Sequence, residues 1–236
     1  HLPKAYLLPI EGHYKQGAIM DAQAQASIPL KKRLWQQIIK NKLGQQASLL
    51  SFIGENPMRI IDLIAKVKSG DPDNCEAQAA RIYWPLLLGP QFKRDQEKPG
   101  INSLLNYGYI VLRSAVVRAI VCAGLHPTIG LFHKNTLNPM RLGDDLMEAF
   151  RPFVDMRVYI LVKNGIRDLS NDEKKCFVEL MGMNLPSLRG ATEMGYCIQS
   201  LAISLAQVFL SEKKNLELPK TMQKMDWIKL QYVKRL

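Results

Sequence analysis

The chain has 236 residues, with 32 Lys and Arg against 21 Asp and Glu, for a formal net charge of +11. An apolar share of 47% excludes a disordered tail, and 15 glycines and 13 prolines are too few for low-complexity sequence. So positive a charge calls for an acidic partner, of which nucleic acid is the commonest.

The chain begins at His1 with no signal-peptide pattern, which reads as a fragment of something longer. Residues 5–10 (AYLLPI) are the one strand-like run, kept short by Pro9. A loop through Gly12, His13 and Gly17 follows. Helices are then expected at about 17–26, 29–43, 45–53 and 57–68. From Ala22 to Gly54 there is no acid, while Lys31, Lys32, Arg33, Lys40 and Lys42 are present. Ser27 and Pro29 suit the start of a helix here, and Leu30, Leu34 and Ile38 form its apolar stripe, flanked by Trp35 and Ile39. Its basic residues read either as a solvated face or as phosphate contacts.

The turn SGDPDN at 69–74 leads to a helix at about 74–88, which Pro85 should bend. A helix at about 101–123 is apolar nearly all round, so it should be central, and Gly124 ends it. A loop covers 126–143, and helices follow at about 144–164, 170–181 and 187–213. The longest uncharged stretch, Met194 to Ser211, is long enough to span a membrane. Ser200, Ser204, Gln207 and Ser211 nevertheless form one polar stripe, which indicates an amphipathic helix and no membrane span. The terminal stretch from Lys220 to Arg235 is basic again. With the early helix it carries nine of the eleven net charges, and it could pack on the core, on a partner or along DNA. Cys75, Cys122, Cys176 and Cys197 lack a CxxC spacing and read as buried thiols of a reducing cytoplasm.

The segment 124–155, GLHPTIGLFHKNTLNPMRLGDDLMEAFRPFVD, is a loop closed by His133 and followed by Asp144, Asp145 and Glu148. The three acids share one side of a first helical turn. Asp144 and Asp145 also suit plain capping of a helix N-terminus. A lone histidine after a loop is by itself an ordinary structural residue.

Taken in order, GLxPxxGxxH and DLMExFRPxxD, the preceding CEAQAARIYWPLLLG and the NSLLNYGYIVLRSAVVRAIVCAGL helix closely resemble the CRISPR-associated adaptation integrases. These are the metal-dependent subunits that insert new spacers. HLPKAYLLPIEGH and PLKKRLWQQIIKNKLGQQA resemble the lead-in of the type II branch. The resemblance implies a mainly α fold: a multi-helix catalytic bundle preceded by a remnant strand of a β-rich N-terminal domain. The divisions are 1–14 for the end of that domain and its linker, 15–213 for the catalytic bundle and 214–236 for a basic tail.

It also implies Glu76, His133 and Glu148 as catalytic metal ligands for Mg²⁺ or Mn²⁺. Asp144 or Asp145 is the alternative third ligand. Asn102, Asn106 and Asp145 would have supporting roles. Two carboxylates and an imidazole are reasonable company for such a hard cation. The implied reaction is attack of a DNA 3′ hydroxyl on a repeat phosphodiester. Lys31, Lys32, Arg33, Lys40, Arg81 and Arg141 are the candidate DNA contacts, with Lys93 and Arg94 also near the site. Tyr83, Trp84, Tyr107 and Tyr109 read either as core packing or as stacking positions. The implied partners are double-stranded DNA (prespacer and repeat), a dimer of a small ferredoxin-like adaptation subunit and a second copy of the chain. The RNA-guided nuclease of type II systems and a DNA-end-binding accessory complete the set. The basic segments are expected to lie outside the acidic metal site. A non-catalytic basic DNA-binding or scaffolding bundle is the competing reading, and a general structure-specific nuclease is a third.

Overall fold

The computed structural model describes residues 15–231. The strand-like run 5–10 and the last five residues of the tail lie outside that range. The described residues are mainly helical: α1 (Gln16–Gln25), α2 (Ile28–Phe52), α3 (Met58–Lys66), α4 (Cys75–Leu88), α5 (Ile101–Cys122), α6 (Arg141–Met147), α7 (Arg151–Lys163), α8 (Asn171–Glu179), α9 (Met194–Phe209) and α10 (Lys224–Gln231). Short 3₁₀ turns follow α6 and α8.

Helix α5 is the centre, packing against α6, α7, α8 and α9. Among the described residues it alone is long and apolar enough to cross a membrane, but Leu104, Leu105, Leu112, Val116 and Ile120 spend that apolarity on the core. Gly108 makes the crossing close. A Cβ there would lie 2.5 Å from Val154 Cγ1 and 2.8 Å from Phe177 Cδ1, so α7 and α8 rest on bare backbone. Gly124, at φ +77°, ends the helix as its position implies.

Helix α2 is continuous where the sequence suggested a break between 43 and 45. Gly44 stays helical because the missing side chain makes room for the returning tail: a Cβ would meet Thr221 Oγ1 at 3.3 Å. A polar stripe of α2 then fastens that segment by its backbone. Gln37 accepts from Leu216 N, Asn41 donates to Pro219 O at 2.7 Å, Gln45 bridges Lys220 O and Met222 N, and Ser48 donates to Met222 O. Trp227, wholly buried, donates to Ser48 Oγ at 2.8 Å. Of the three destinations open to the tail, its described part takes the core.

Two other segments differ from expectation. The helix placed at 144–164 is two helices joined by a 3₁₀ turn at Glu148–Phe150. Pro152, at the start of α7, has no N–H for the carbonyl one turn back and so favours a fresh start. The helix placed at 187–213 begins only at Met194. Before it, Asn184–Ser187 and Gly190–Glu193 form an antiparallel hairpin, β1 and β2, turning at Leu188 and Arg189. Gly190, at φ +93°, permits the turn, and buried Leu185 anchors it. Ser204 is buried, so the polar stripe of α9 is not a solvent face. Its hydroxyl accepts from Glu217 N beneath the returning tail. The thiols are all free, and two depart from the expected burial: Cys122 is exposed and Cys176 half-buried.

Candidate functional site

The start of α4 presents Glu76, and local hydrogen bonds fix it. Asp71 accepts from Cys75 N at 2.8 Å and from Glu76 N at 3.0 Å, and Asn74 caps the helix through Ala77 N. The 3₁₀ turn after α6 presents Glu148 from the other side. Both carboxylates meet one cation, the Lys42 ammonium of α2, whose Nζ lies 2.6 Å from Glu76 Oε1 and 2.6 Å from Glu148 Oε2. Arg151 closes the far side, with Nε 2.9 Å from Glu148 Oε1 in an ion pair whose N–H is not aimed at that oxygen.

Lys42 and Glu148 are buried and Arg151 partly so, where unpaired charge is costly. Burial pushes the Glu148 carboxyl up, but Arg151 and Lys42 outweigh it and hold the group below the usual carboxylate range. Burial presses the Lys42 ammonium down. Glu148 and Glu76 reverse this and raise it above the ordinary lysine value.

His133 is held by Asp145. This wholly buried carboxylate accepts from three successive backbone N–H groups, Leu131, Phe132 and His133, at 2.6, 3.2 and 3.2 Å, and pairs with His133 Nδ1 at 2.6 Å. Gly130 leaves it space: a Cβ there would lie 2.8 Å from Asp145 Oδ2. The pairing commits Nδ1 and leaves Nε2 as the ring nitrogen available to a ligand. The Asp145 hydrogen bond raises the imidazole pKa against the effect of burial, and the Glu148 charge also favours the protonated ring. Trp35 of α2 supports the loop, stacking on Phe132 with ring centroids 4.4 Å apart and edge-on to His133 at 6.0 Å.

The three predicted ligands are thus brought together unequally. Glu76 and Glu148 face one shared positive charge, and His133 approaches from the loop. Asp145 is saturated by the loop, and Asp144 pairs with Arg113 and Asn138, so Glu148 is the acid that faces Glu76. Among the described residues no three His, Cys, Asp or Glu side chains gather tightly enough to form a metal cluster. The donor set nevertheless fits a hard divalent cation, because two carboxylates already converge on a stand-in cation.

A cleft of about 320 Å³ opens beside the site, lined in part by Arg94, Asn106, Tyr109, Arg113 and Arg151. Asn102 and Asn106 serve here. Their amide oxygens accept from Arg94 at 2.9 and 2.6 Å, so Arg94 is held by neutral groups rather than by a carboxylate. Arg94 and Arg151 both lie over the Tyr109 ring, at 5.6 and 4.7 Å from its centroid. Below them Tyr83 and Tyr109 donate to Asp155, a buried acid whose carboxyl burial lifts to about 6. Tyr83 and Tyr109 are therefore core residues. Trp84 and Tyr107 pack on Phe92 and Phe177.

Of the proposed DNA contacts, Lys32, Arg33, Lys40 and Arg81 are exposed and Lys31 is partly so. Partly buried Arg141 donates to Thr128 O at 2.7 Å and braces the loop. The expectation that the basic segments lie outside the site is corrected at Lys42, which sits at its centre. The signal was present: Lys42 follows Trp35, Ile38 and Ile39 by seven, four and three residues, so it falls on the buried stripe of α2. Arg151 and Asp155 lie in the quoted motif, but neither the spacing nor the resemblance assigns them a role.

The family profile described as "CRISPR associated protein Cas1" matches residues 4–184. The CRISPR-associated endonuclease Cas1 of Neisseria meningitidis is 40% identical over 166 residues, covering 70% of this chain and 54% of that protein. The chain spans about half the length of the curated relatives it matches. A casposase bound to its integration product superposes with a TM-score of 0.75 at 21% identity, over 91% of this chain and 74% of that one. A partial Cas6-RT-Cas1–Cas2 complex gives 0.75 at 17% identity, over 92% and 77%. These two share the fold. With most of its length matched by the profile, the chain belongs to the Cas1 family of CRISPR-associated proteins.

Proposed function

We propose that this chain is the helical catalytic part of a metal-dependent integrase that inserts spacer DNA into a CRISPR array. The observation that carries the reading is the convergence of Glu76 and Glu148 on one positive charge, inside a chain of the Cas1 family. Glu76, Glu148 and His133 would hold Mg²⁺ or Mn²⁺. That ion would supply Lewis-acid stabilisation of the charge that develops on a reacting phosphate.

The chain's own residues do the rest. Asp145 orients the imidazole and Asp71 anchors the Glu76 helix end. Arg94, fixed by Asn102 and Asn106, presents a guanidinium to a phosphate in the cleft beside the carboxylates. In the reaction a DNA 3′ hydroxyl attacks a repeat phosphodiester. A new P–O bond forms as the bond to the old 3′ oxygen breaks, and the number of phosphodiesters is conserved. The exposed Lys32, Arg33, Lys40 and Arg81 would add sequence-independent, salt-sensitive affinity for the duplex.

Residues 15–213 form the catalytic bundle in this reading, with 1–14 leading in from a β domain and 214–236 as a basic tail. A Cas1–Cas2 complex is among the structures that share the fold. We extend that pairing to a small ferredoxin-like partner, with a second copy of the chain and double-stranded DNA. A type II RNA-guided nuclease and a DNA-end-binding accessory would join them in the cytoplasm.

The test is strand transfer of a 3′-hydroxyl DNA into a repeat-bearing plasmid with Mn²⁺. Glu76→Ala, His133→Ala and Glu148→Ala should each lower joined product by about a thousandfold. Persistent joining by all three would overturn this metal-site reading, and a parent chain that neither joins nor nicks would leave only the non-catalytic bundle. Nicking without joining would leave a general nuclease.

A further inference from the structure

The carboxylates assigned to the metal already hold a cation that belongs to the chain. Counted at neutral pH, Glu76 and Glu148 contribute two negative charges, and Lys42 and Arg151 two positive ones. The four groups are linked by contacts of 2.6 to 2.9 Å. The set is therefore neutral, as suits a cluster in which Lys42 and Glu148 are buried and Glu76 and Arg151 partly so. A divalent cation added to it would leave an excess of two positive charges around the buried Lys42 and Glu148.

The excess is relieved if the ammonium leaves. Lys42 ends a flexible four-carbon stem whose Nζ can move by changing rotamer, whereas the guanidinium of Arg151 is a rigid plane. Two carboxylates, Arg151 and a divalent ion then carry one positive charge together, and one phosphodiester cancels it. The displaced ammonium is itself free to meet a phosphate.

We propose that Lys42 is an internal counter-ion that competes with the divalent cation for Glu76 and Glu148, so that metal loading displaces its ammonium and favours a bound phosphate. Lys42 is thus a positioning residue that keeps the carboxylates together until metal and DNA arrive. The proposal rests on the metal reading above, and its test separates the two.

The measurement is calorimetric Mn²⁺ titration of the 236-residue chain without DNA. Lys42→Met and Lys42→Gln should bind Mn²⁺ about tenfold more tightly than the parent, the size of an ordinary coupling between two ligands. Lys42→Arg, which keeps the charge, should not. Glu76→Gln and Glu148→Gln in the parent report on the metal reading itself. If they leave Mn²⁺ binding unchanged, that reading fails. If they abolish it while Lys42→Met leaves affinity equal or weaker, the counter-ion proposal alone is overturned. The unmutated chain gives an independent readout, because the Lys42 ammonium resonance in ¹⁵N spectra should shift on adding Mg²⁺. A resonance indifferent to Mg²⁺ would refute displacement whether or not the variants fold.

Discussion

His133 and Asp145 meet twice, once through the backbone N–H at 3.2 Å and once through ring Nδ1 at 2.6 Å, both on the same carboxylate oxygen. One buried acid thereby fixes both the course of the loop and the orientation of the ring at its end. The same contact makes the imidazole more basic than an ordinary histidine, while ligation requires it neutral.

In the wild-type chain, metal loading through His133 should therefore weaken as pH falls through the raised imidazole pKa. Asp145→Asn removes the negative partner and places an amide N–H against the loop's donors. The His133 midpoint should move down towards 6.5, and amides 131–133 should exchange faster. Histidine Cε1–H titration by NMR checks the first, and hydrogen exchange the second. An unmoved midpoint would mean that Asp145 does not hold the proton.

Much of this was legible in the sequence, and the exceptions share a cause. Helix placement followed from periodicity, so α4 and α5 fell close to their expected spans. The hairpin at 184–193 did not. Its strands are four residues each, and Gly190 and Leu185 acquire their roles only when packed. Glu76, His133 and Glu148 are far apart in sequence, and their grouping came from resemblance rather than spacing. Lys42 does not stand out by charge among its basic neighbours; its place on the stripe of Trp35, Ile38 and Ile39 decides its burial. Asn102 and Asn106 were placed near the site, but their purpose depends on Arg94 folding back from the 89–100 loop.

Asp155 gives the stability of the chain a pH signature. Its folded carboxyl titrates near 6, above the ordinary 3.8, chiefly because burial disfavours the charge. A raised folded pKa stabilises the fold below the unfolded value, and that benefit is lost as pH rises through about 6. Between pH 4 and 7 the wild type should lose about 2 kcal/mol of stability relative to Asp155→Asn, which keeps the shape without the ionisation. Urea denaturation of both proteins across that range measures it. Parallel pH profiles would show that Asp155 titrates normally.

Gly108 tests the central packing. In an exposed helix Gly→Ala stabilises by up to about 1 kcal/mol. Here the new Cβ would stand 2.5 Å from Val154 Cγ1 and 2.8 Å from the Phe177 ring, both wholly buried. The neighbours have no room to retreat, so Gly108→Ala should destabilise by about 1–3 kcal/mol in urea unfolding. Because the two effects have opposite signs, a stabilised variant would show that α5 and α7 are not so closely packed.

Arg94 separates DNA holding from metal chemistry. Arg113 and Arg151 face the same cleft but are committed to Asp144 and Glu148, whereas Arg94 is steadied by the amide oxygens of Asn102 and Asn106. Neutral supports leave its full charge for a phosphate, and burial already disfavours that charge without an anion. Arg94→Ala should therefore weaken duplex binding in EDTA, with the slope of log affinity against log salt falling by about one. Asn106→Ala should retain that slope and lose only part of the affinity, because the guanidinium remains but is less well placed. Anisotropy titrations at several salt concentrations distinguish them. An unchanged slope in Arg94→Ala would remove this arginine from the DNA path and leave the exposed lysines and arginines of α2 and α4 to carry it.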